Sequence, residues 1–216
     1  MIQIDDAGSG SLVGGTAVGI LRIETNEYMW DVIPIKYFTS PYFENKRYED
    51  YTLSIIKKYL KYLNVDKNEP IEICQGYIFN KTRDFLAKSN YNVKSTKISD
   101  PLQSLIESSF IDYCTQIGIP YDYLRYTKYP FHFHKMLRWV FADKKNRVKL
   151  CKTAWNSWKK YSDTQLQIHY DYIVTGNYTC LKCGKKINTP SKIKVIEFTT
   201  NKKQFIYLHD NCRFSQ

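Results

Sequence analysis

Two groups of residues in this 216-residue chain carry types and spacings that suit metal chemistry. The first begins at Ile4-Asp5-Asp6, which runs directly into Gly8-Ser9-Gly10. Hydrolysis of a phosphodiester by two metal ions needs several carboxylates gathered from separate elements, so that one ion activates a water and the other stabilises the leaving oxygen. Oxygen donors of this kind select Mg²⁺ or Mn²⁺. Two further carboxylates are candidates: Glu72, inside the apolar run Ile71-Glu72-Ile73-Cys74, and Asp100, ahead of a helix-like segment. A carboxylate in an otherwise apolar strand must be paired, neutralised or metal-bound. The competing reading is conformational, because Asp and Gly also shape turns with no ligand at all.

The second group lies near the C-terminus. Cys180-Leu181-Lys182-Cys183 and His209-Asp210-Asn211-Cys212 form two ligand pairs, each with two residues between its members. Three thiolates and an imidazole suit tetrahedral Zn²⁺, and four protein ligands leave no open position, which predicts a structural site. Gly184 permits the tight turn after the second cysteine. Cys74, Cys114 and Cys151 have no partner at ligand spacing and read as small core residues.

These groups need elements to hold them. Residues 2 to 6, 12 to 23 and 27 to 37 read as three strands joined by short turns, hence antiparallel. Asp5 and Asp6 then project to opposite sides of the pleat. Pro34 cannot donate to a ladder, so the third strand is expected at an edge. Residues 47 to 63 carry apolar side chains at helical spacing. Strand 71 to 79, a helix near 81 to 88, strand 91 to 98 and a helix from 101 to 117 follow. This order predicts an α/β fold, a mixed sheet flanked by helices. Past Pro120 the chain reads as a basic, aromatic and mainly helical segment over 121 to 175, with helix from 134 to 161. A small metal-binding module follows over 176 to 216, with a hairpin of strands 192 to 199 and 204 to 208.

Residues Asp5-Asp6-Ala7-Gly8-Ser9-Gly10-Ser11-Leu12-Val13-Gly14-Gly15 resemble the Asp-Glu-x-Gly-Arg/Thr-Gly-x-x-x-Gly-Pro signature of type 2 and type 3 ribonucleases H. The spacing matches throughout, with Asp6, Ser9 and Gly15 standing where that family has Glu, Arg or Thr, and Pro. The resemblance implies a ribonuclease H-like domain over residues 1 to 120. It also implies catalytic roles for Asp5, Asp6, Glu72 and Asp100, and contact of the Gly8-Ser9-Gly10 turn with the ribose beside the cleaved bond. Lys97-Ile98-Ser99-Asp100 is similar to the family's segment before its closing helix, while Glu72 resembles the strand glutamate of Holliday-junction resolvases in the same superfamily. The C-terminal ligand pairs resemble zinc-ribbon or treble-clef modules.

Charge is unevenly placed. The net charge is +11, yet residues 1 to 120 hold 13 Lys and Arg against 15 Asp and Glu, whereas residues 121 to 216 hold 19 against 6. Such asymmetry points the second half at a polyanion. Lys144, Lys145 and Arg147, interleaved with Trp and Phe, are the candidate backbone contacts. The expected partner is nucleic acid: an RNA/DNA hybrid, RNA or branched DNA. No run is long and apolar enough for a membrane span, and Met1 leads straight into a strand-like segment, which predicts a cytoplasmic protein. The function expected from the sequence is a metal-dependent nuclease. The alternatives are a noncatalytic nucleic-acid adaptor on the same fold and a zinc-stapled protein-interaction module.

Overall fold

A computed structural model describes residues 1–125 and 129–214. The chain divides into two compact units, one of Met1–Ser9 with Gly14–Tyr113 and the other of Gly10–Val13 with Cys114–Gln216.

The first unit is built on five strands: β1 (Ile2–Ala7), β2 (Thr16–Arg22), β3 (Glu27–Ile33), β4 (Ile71–Cys74) and β5 (Val93–Thr96). Their order in the sheet is β3-β2-β1-β4-β5. The first three pair antiparallel, and β4 runs parallel to both β1 and β5. β3 lies at an edge, immediately before Pro34, where the missing N–H leaves no gap in a ladder.

Helices cover both faces. On one, α1 (Arg47–Tyr62) and α2 (Asn80–Lys88) pack over Ile2, Ile4, Val18, Ile20, Ile71 and Ile73 through Ile56, Leu60 and Leu86. On the other lies α3 (Leu102–Gln116), which buries Leu102, Ile106 and Phe110. Gly19 admits this helix, since a Cβ there would lie 3.0 Å from Ile106 Cδ1. With both faces covered, β2 is buried almost throughout and does not alternate. β1 runs one residue beyond its expected end, whereas β2 to β5 are each shorter than expected. β2 starts at Thr16 because Leu12 and Val13 belong to the other unit, and β4 stops at Cys74, where Gly76 begins a 3₁₀ turn over Tyr77–Phe79.

The second unit contains α4 (Tyr121–Arg125), α5 (Phe133–Phe141), α6 (Lys144–Arg147) and α7 (Asn156–Tyr161). The single helix expected over 134 to 161 is therefore broken. Its middle is captured by the segment Gly10–Val13: Val13 forms a β-bridge with Cys151, and Lys152 N donates to Leu12 O at 2.9 Å. Helical hydrogen bonds cannot continue through residues paired in this way. Beyond it come β6 (Gln167–Ile173), β7 (Tyr178–Thr179), β8 (Lys186–Ile187), β9 (Ser191–Thr199) and β10 (Lys203–His209). β9 is central in a sheet of order β10-β9-β6, and β7 pairs with β8. β6 has no counterpart among the expected strands, although Ile168, Tyr170 and Tyr172 alternate along it; these side chains are exposed. Among the described residues, no helix is long and apolar enough to cross a membrane.

Candidate functional site

In the first unit, Asp5, Asp6 and Cys74 each offer a ligand atom within 4.8 Å of the others. Sheet topology brings them together. β1 is the central strand, and its ladder to β4 ends at Ile4↔Ile73, so Asp5 and Asp6 sit just past the paired region, beside the end of β4. Neighbouring residues face opposite sides of a strand, but at this strand end both carboxylates reach the same thiol. Asp6 is admitted closely by Gly76, where a Cβ would stand 3.1 Å from Asp6 Oδ1. Arg83 fixes the bend, its Nη1 donating to Cys74 O at 2.8 Å and to Gly76 O at 3.1 Å. Gly76 N donates to Cys74 Sγ at 3.4 Å.

Electrostatics at this corner oppose a bare negative charge. Asp5 is 8% exposed. Burial pushes its carboxyl above the usual carboxylate range, a hydrogen bond from Cys74 and another from the backbone of Asp6 partly offset this, and Glu107 on α3 adds repulsion. Burial also drives the Cys74 thiol up to about 12, with Asp5 and Asp6 contributing. A bound cation would relieve all of these costs together, so the group can hold a metal. Asp5 and Asp6 supply hard oxygen donors to such an ion and Cys74 a soft one.

The other candidate residues have distinct places. Glu72 lies one step back along the same face of β4 as Cys74, where its Oε2 accepts from Gln3 Nε2 at 3.5 Å. Asp100 caps the start of α3, its Oδ1 accepting from Ser104 N at 3.1 Å and Ser104 Oγ at 2.5 Å. Neither belongs to the Asp5-Asp6-Cys74 group. Gly8 occupies the left-handed region (φ +84°), and a Cβ there would strike the Phe110 ring at 2.1 Å. Ser9 follows it at the end of the first unit, while Gly10 groups with the second and has open space where a Cβ would be. Two members of the site were not singled out in the sequence. Cys74 lies two beyond Glu72 on the same strand face, but its spacing did not set it apart from a small core residue. Glu107 is an exposed helical acid with no local signal.

In the second unit, Cys180, Cys183, His209 and Cys212 converge, again with all ligand atoms within 4.8 Å. Cys180 Sγ and Cys212 Sγ are 3.7 Å apart, and His209 Nδ1 is 3.3 Å from Cys183 Sγ and 3.9 Å from Cys212 Sγ. A tetrahedral Zn²⁺ with Zn–S of about 2.3 Å and Zn–N of about 2.0–2.1 Å has S–S edges near ~3.8 Å and S–N edges near ~3.6 Å. The cluster therefore has the size such an ion requires. Each ligand pair comes from a turn. Gly184 (φ +77°) closes the first, with Gly184 N donating to Cys180 O at 2.8 Å, and Cys212 N donates to His209 O at 3.1 Å in the second. His209 Nε2 lies 3.1 Å from Lys186 O, a bond that places the proton there and leaves Nδ1 as the donor atom for metal. Burial raises the Cys180 thiol, but N–H groups of Cys183, His209 and Lys182 outweigh it and bring it down to about 7.

The three basic candidates differ in engagement. Arg147 stacks 4.0 Å over the Trp139 ring and donates to Trp139 O, Leu181 O and Lys182 O at 2.6, 2.7 and 3.0 Å. It ties α5 to the first cysteine turn. Lys144 donates to Ser162 O at 2.6 Å and lies 3.7 Å from Asp163, whereas Lys145 is exposed. Compared with protein-family models and with curated proteins, the chain matches none of either.

Proposed function

We propose that this chain is a ribonuclease H-like, metal-dependent nuclease that hydrolyses phosphodiester bonds in structured or hybrid nucleic acid. The observation that carries the reading is the Asp5-Asp6-Cys74 group at the end of the central strand, on a sheet of order β3-β2-β1-β4-β5. Mg²⁺ or Mn²⁺ bound there would supply an activated water and a counter-charge for the leaving oxygen. Asp5 and Asp6 would hold the ion, and the Gly8-Ser9-Gly10 turn would leave backbone room for a sugar to approach. Glu72 and Asp100 stay candidates for outer roles, one through Gln3 and one at the mouth of α3. The C-terminal cluster would hold a structural Zn²⁺.

The test is cleavage of RNA/DNA hybrid, branched DNA and single strands in Mg²⁺ or Mn²⁺, compared with Asp5→Asn. Metal-dependent cleavage lost in the variant supports the proposal, and absence of cleavage on every substrate overturns it. A noncatalytic nucleic-acid-binding role is the second reading. It draws support from Cys74, a protonated thiol in a position where an oxygen donor would suit Mg²⁺ better.

A further inference from the structure

The second unit holds a cationic cleft that the sequence did not single out. A cavity of about 530 Å³ opens between α5 and the start of β10, lined by His134, Lys135 and Arg138 on one side and Lys202, Phe205 and Tyr207 on the other. No acidic side chain lines it among the described residues. A neighbouring hollow of about 490 Å³ shares Lys135, Arg138, Phe205 and Tyr207 and continues toward Gly184, with Asp122 the one acidic side chain among its described lining residues.

Local structure explains how the charges are gathered. Lys135 and Arg138 are three apart on α5 and so share a face. On β10, Lys203, Phe205 and Tyr207 alternate outward while Gln204, Ile206 and Leu208 are buried. Lys203 is paired with Glu197 at 2.7 Å. Lys135, Arg138 and Lys202 have no ion pair among the described residues; Lys135 Nζ lies 4.5 Å over the Tyr123 ring and Arg138 hydrogen-bonds Tyr123, but Arg138 Nε and His134 Nε2 are buried without a hydrogen-bond partner. Positive groups here burden one another. Burial and Arg138 hold the Lys135 ammonium down to about 8, and burial with His132, Lys202 and Arg138 lowers His134. Unpartnered buried donors and mutually repelling cations are costly unless an anion completes them.

We propose that this cleft binds the sugar-phosphate backbone of single-stranded nucleic acid, with Lys135, Arg138 and Lys202 on phosphates and Phe205 stacking on a base. Phe205 is 38% exposed at the cleft wall, so its ring is accessible to a stacking partner. Cations beside an aromatic face are the means by which proteins hold single strands without reading sequence. The inference rests on the nuclease reading only for its choice of polymer, and does not require the carboxylate centre to be catalytic.

Binding of a fluorescein-labelled 12-nucleotide oligo-dT and of a 12-base-pair duplex to the whole zinc-loaded chain, without added Mg²⁺ or Mn²⁺, tests it by anisotropy. Wild type is expected to prefer the single strand. Lys202→Ala with Arg138→Gln should weaken binding roughly tenfold or more at low salt and reduce the salt slope by about one to two. Phe205→Ala should weaken it roughly fivefold or more, and Lys61→Ala, at an exposed position on α1, should leave it unchanged. Lys202 is exposed, so Lys202→Ala alone keeps the test valid if the double variant fails to fold. No binding by wild type, variants binding within about twofold of it, or duplex bound as well as single strand with Phe205→Ala silent would each overturn the proposal. Single-strand binding lost in the variants, in a protein that cleaves nothing, would keep the cleft and overturn the nuclease. Cleavage with cleft variants unimpaired in binding would do the reverse.

Discussion

The Cys74 thiol donates a hydrogen bond to the Asp5 carboxylate, joining the end of β4 to the central strand at the point where an oxygen ligand would be most useful. Replacing it with Cys74→Asp is expected to strengthen Mg²⁺ binding about tenfold or more by adding a hard donor. Cys74→Ala should leave Mg²⁺ binding weak and narrow any preference for Mn²⁺. Calorimetric titration of each ion measures both, and unchanged affinities in the two variants would remove Cys74 from the ligand set.

Asp5→Asn is expected to stabilise the metal-free protein at neutral pH while abolishing divalent-ion binding. Because the folded protein holds the Asp5 proton more tightly than the unfolded chain, stability falls as pH rises from the ordinary carboxylate range through the raised value. Asparagine escapes that loss. A gain of roughly 1 kcal/mol is the usual yield of relieving a strained site, and it should vanish in acid below about pH 4, where both forms are uncharged. Urea melts at pH 4 and pH 7 decide the matter, and equal stability at both would contradict it.

Cys183→Ser, or a strong chelator, should remove bound zinc and destabilise the second unit by on the order of 4 kcal/mol. Zinc retention should also weaken as pH falls, since protons then compete with the ion for its thiolate and imidazole ligands. Metal analysis and thermal melts across about pH 5 to 8 provide the check.

Arg147→Lys is expected to cost about 1.5–3 kcal/mol, because an ammonium cannot reproduce the planar fork that reaches three carbonyls. Lys144→Ala and Lys145→Ala should be within about 0.5 kcal/mol of wild type. Denaturant unfolding separates the three.

Gly8→Ala should destabilise the first unit by about 1–3 kcal/mol through its left-handed backbone alone, with the contact to Phe110 adding to it. Combining it with Phe110→Leu should recover part of the loss, and failure to recover any would place the whole cost in the backbone.

Much of the first unit was legible. The strand-strand-strand-helix order, the edge position of β3 and the three principal helices follow from apolar spacing and Pro34. The Cys180, Cys183, His209 and Cys212 quartet was legible too, since ligand pairs keep their spacing in sequence. Less visible was what depends on distant partners. Cys74 looked like filler until β4 was set beside Asp5, and β6 alternates Ile168, Tyr170 and Tyr172 without burying them. Arg147 read as a backbone contact because sequence shows its charge and not the three carbonyls that surround it. The cleft of Lys135, Arg138 and Lys202 was hidden for the converse reason, its cations lying on elements some sixty residues apart.

The four residues Gly10–Val13 have a consequence for how this gene can be cut. Leu12 and Val13 are fully buried, and their backbone meets Cys151 and Lys152 within the second unit, although they directly follow the carboxylate turn of the first. A fragment beginning at Cys114 would lack that strand and expose its socket. The second unit is therefore not one continuous stretch of chain, and a cut at Cys114 separates it from residues of its own core.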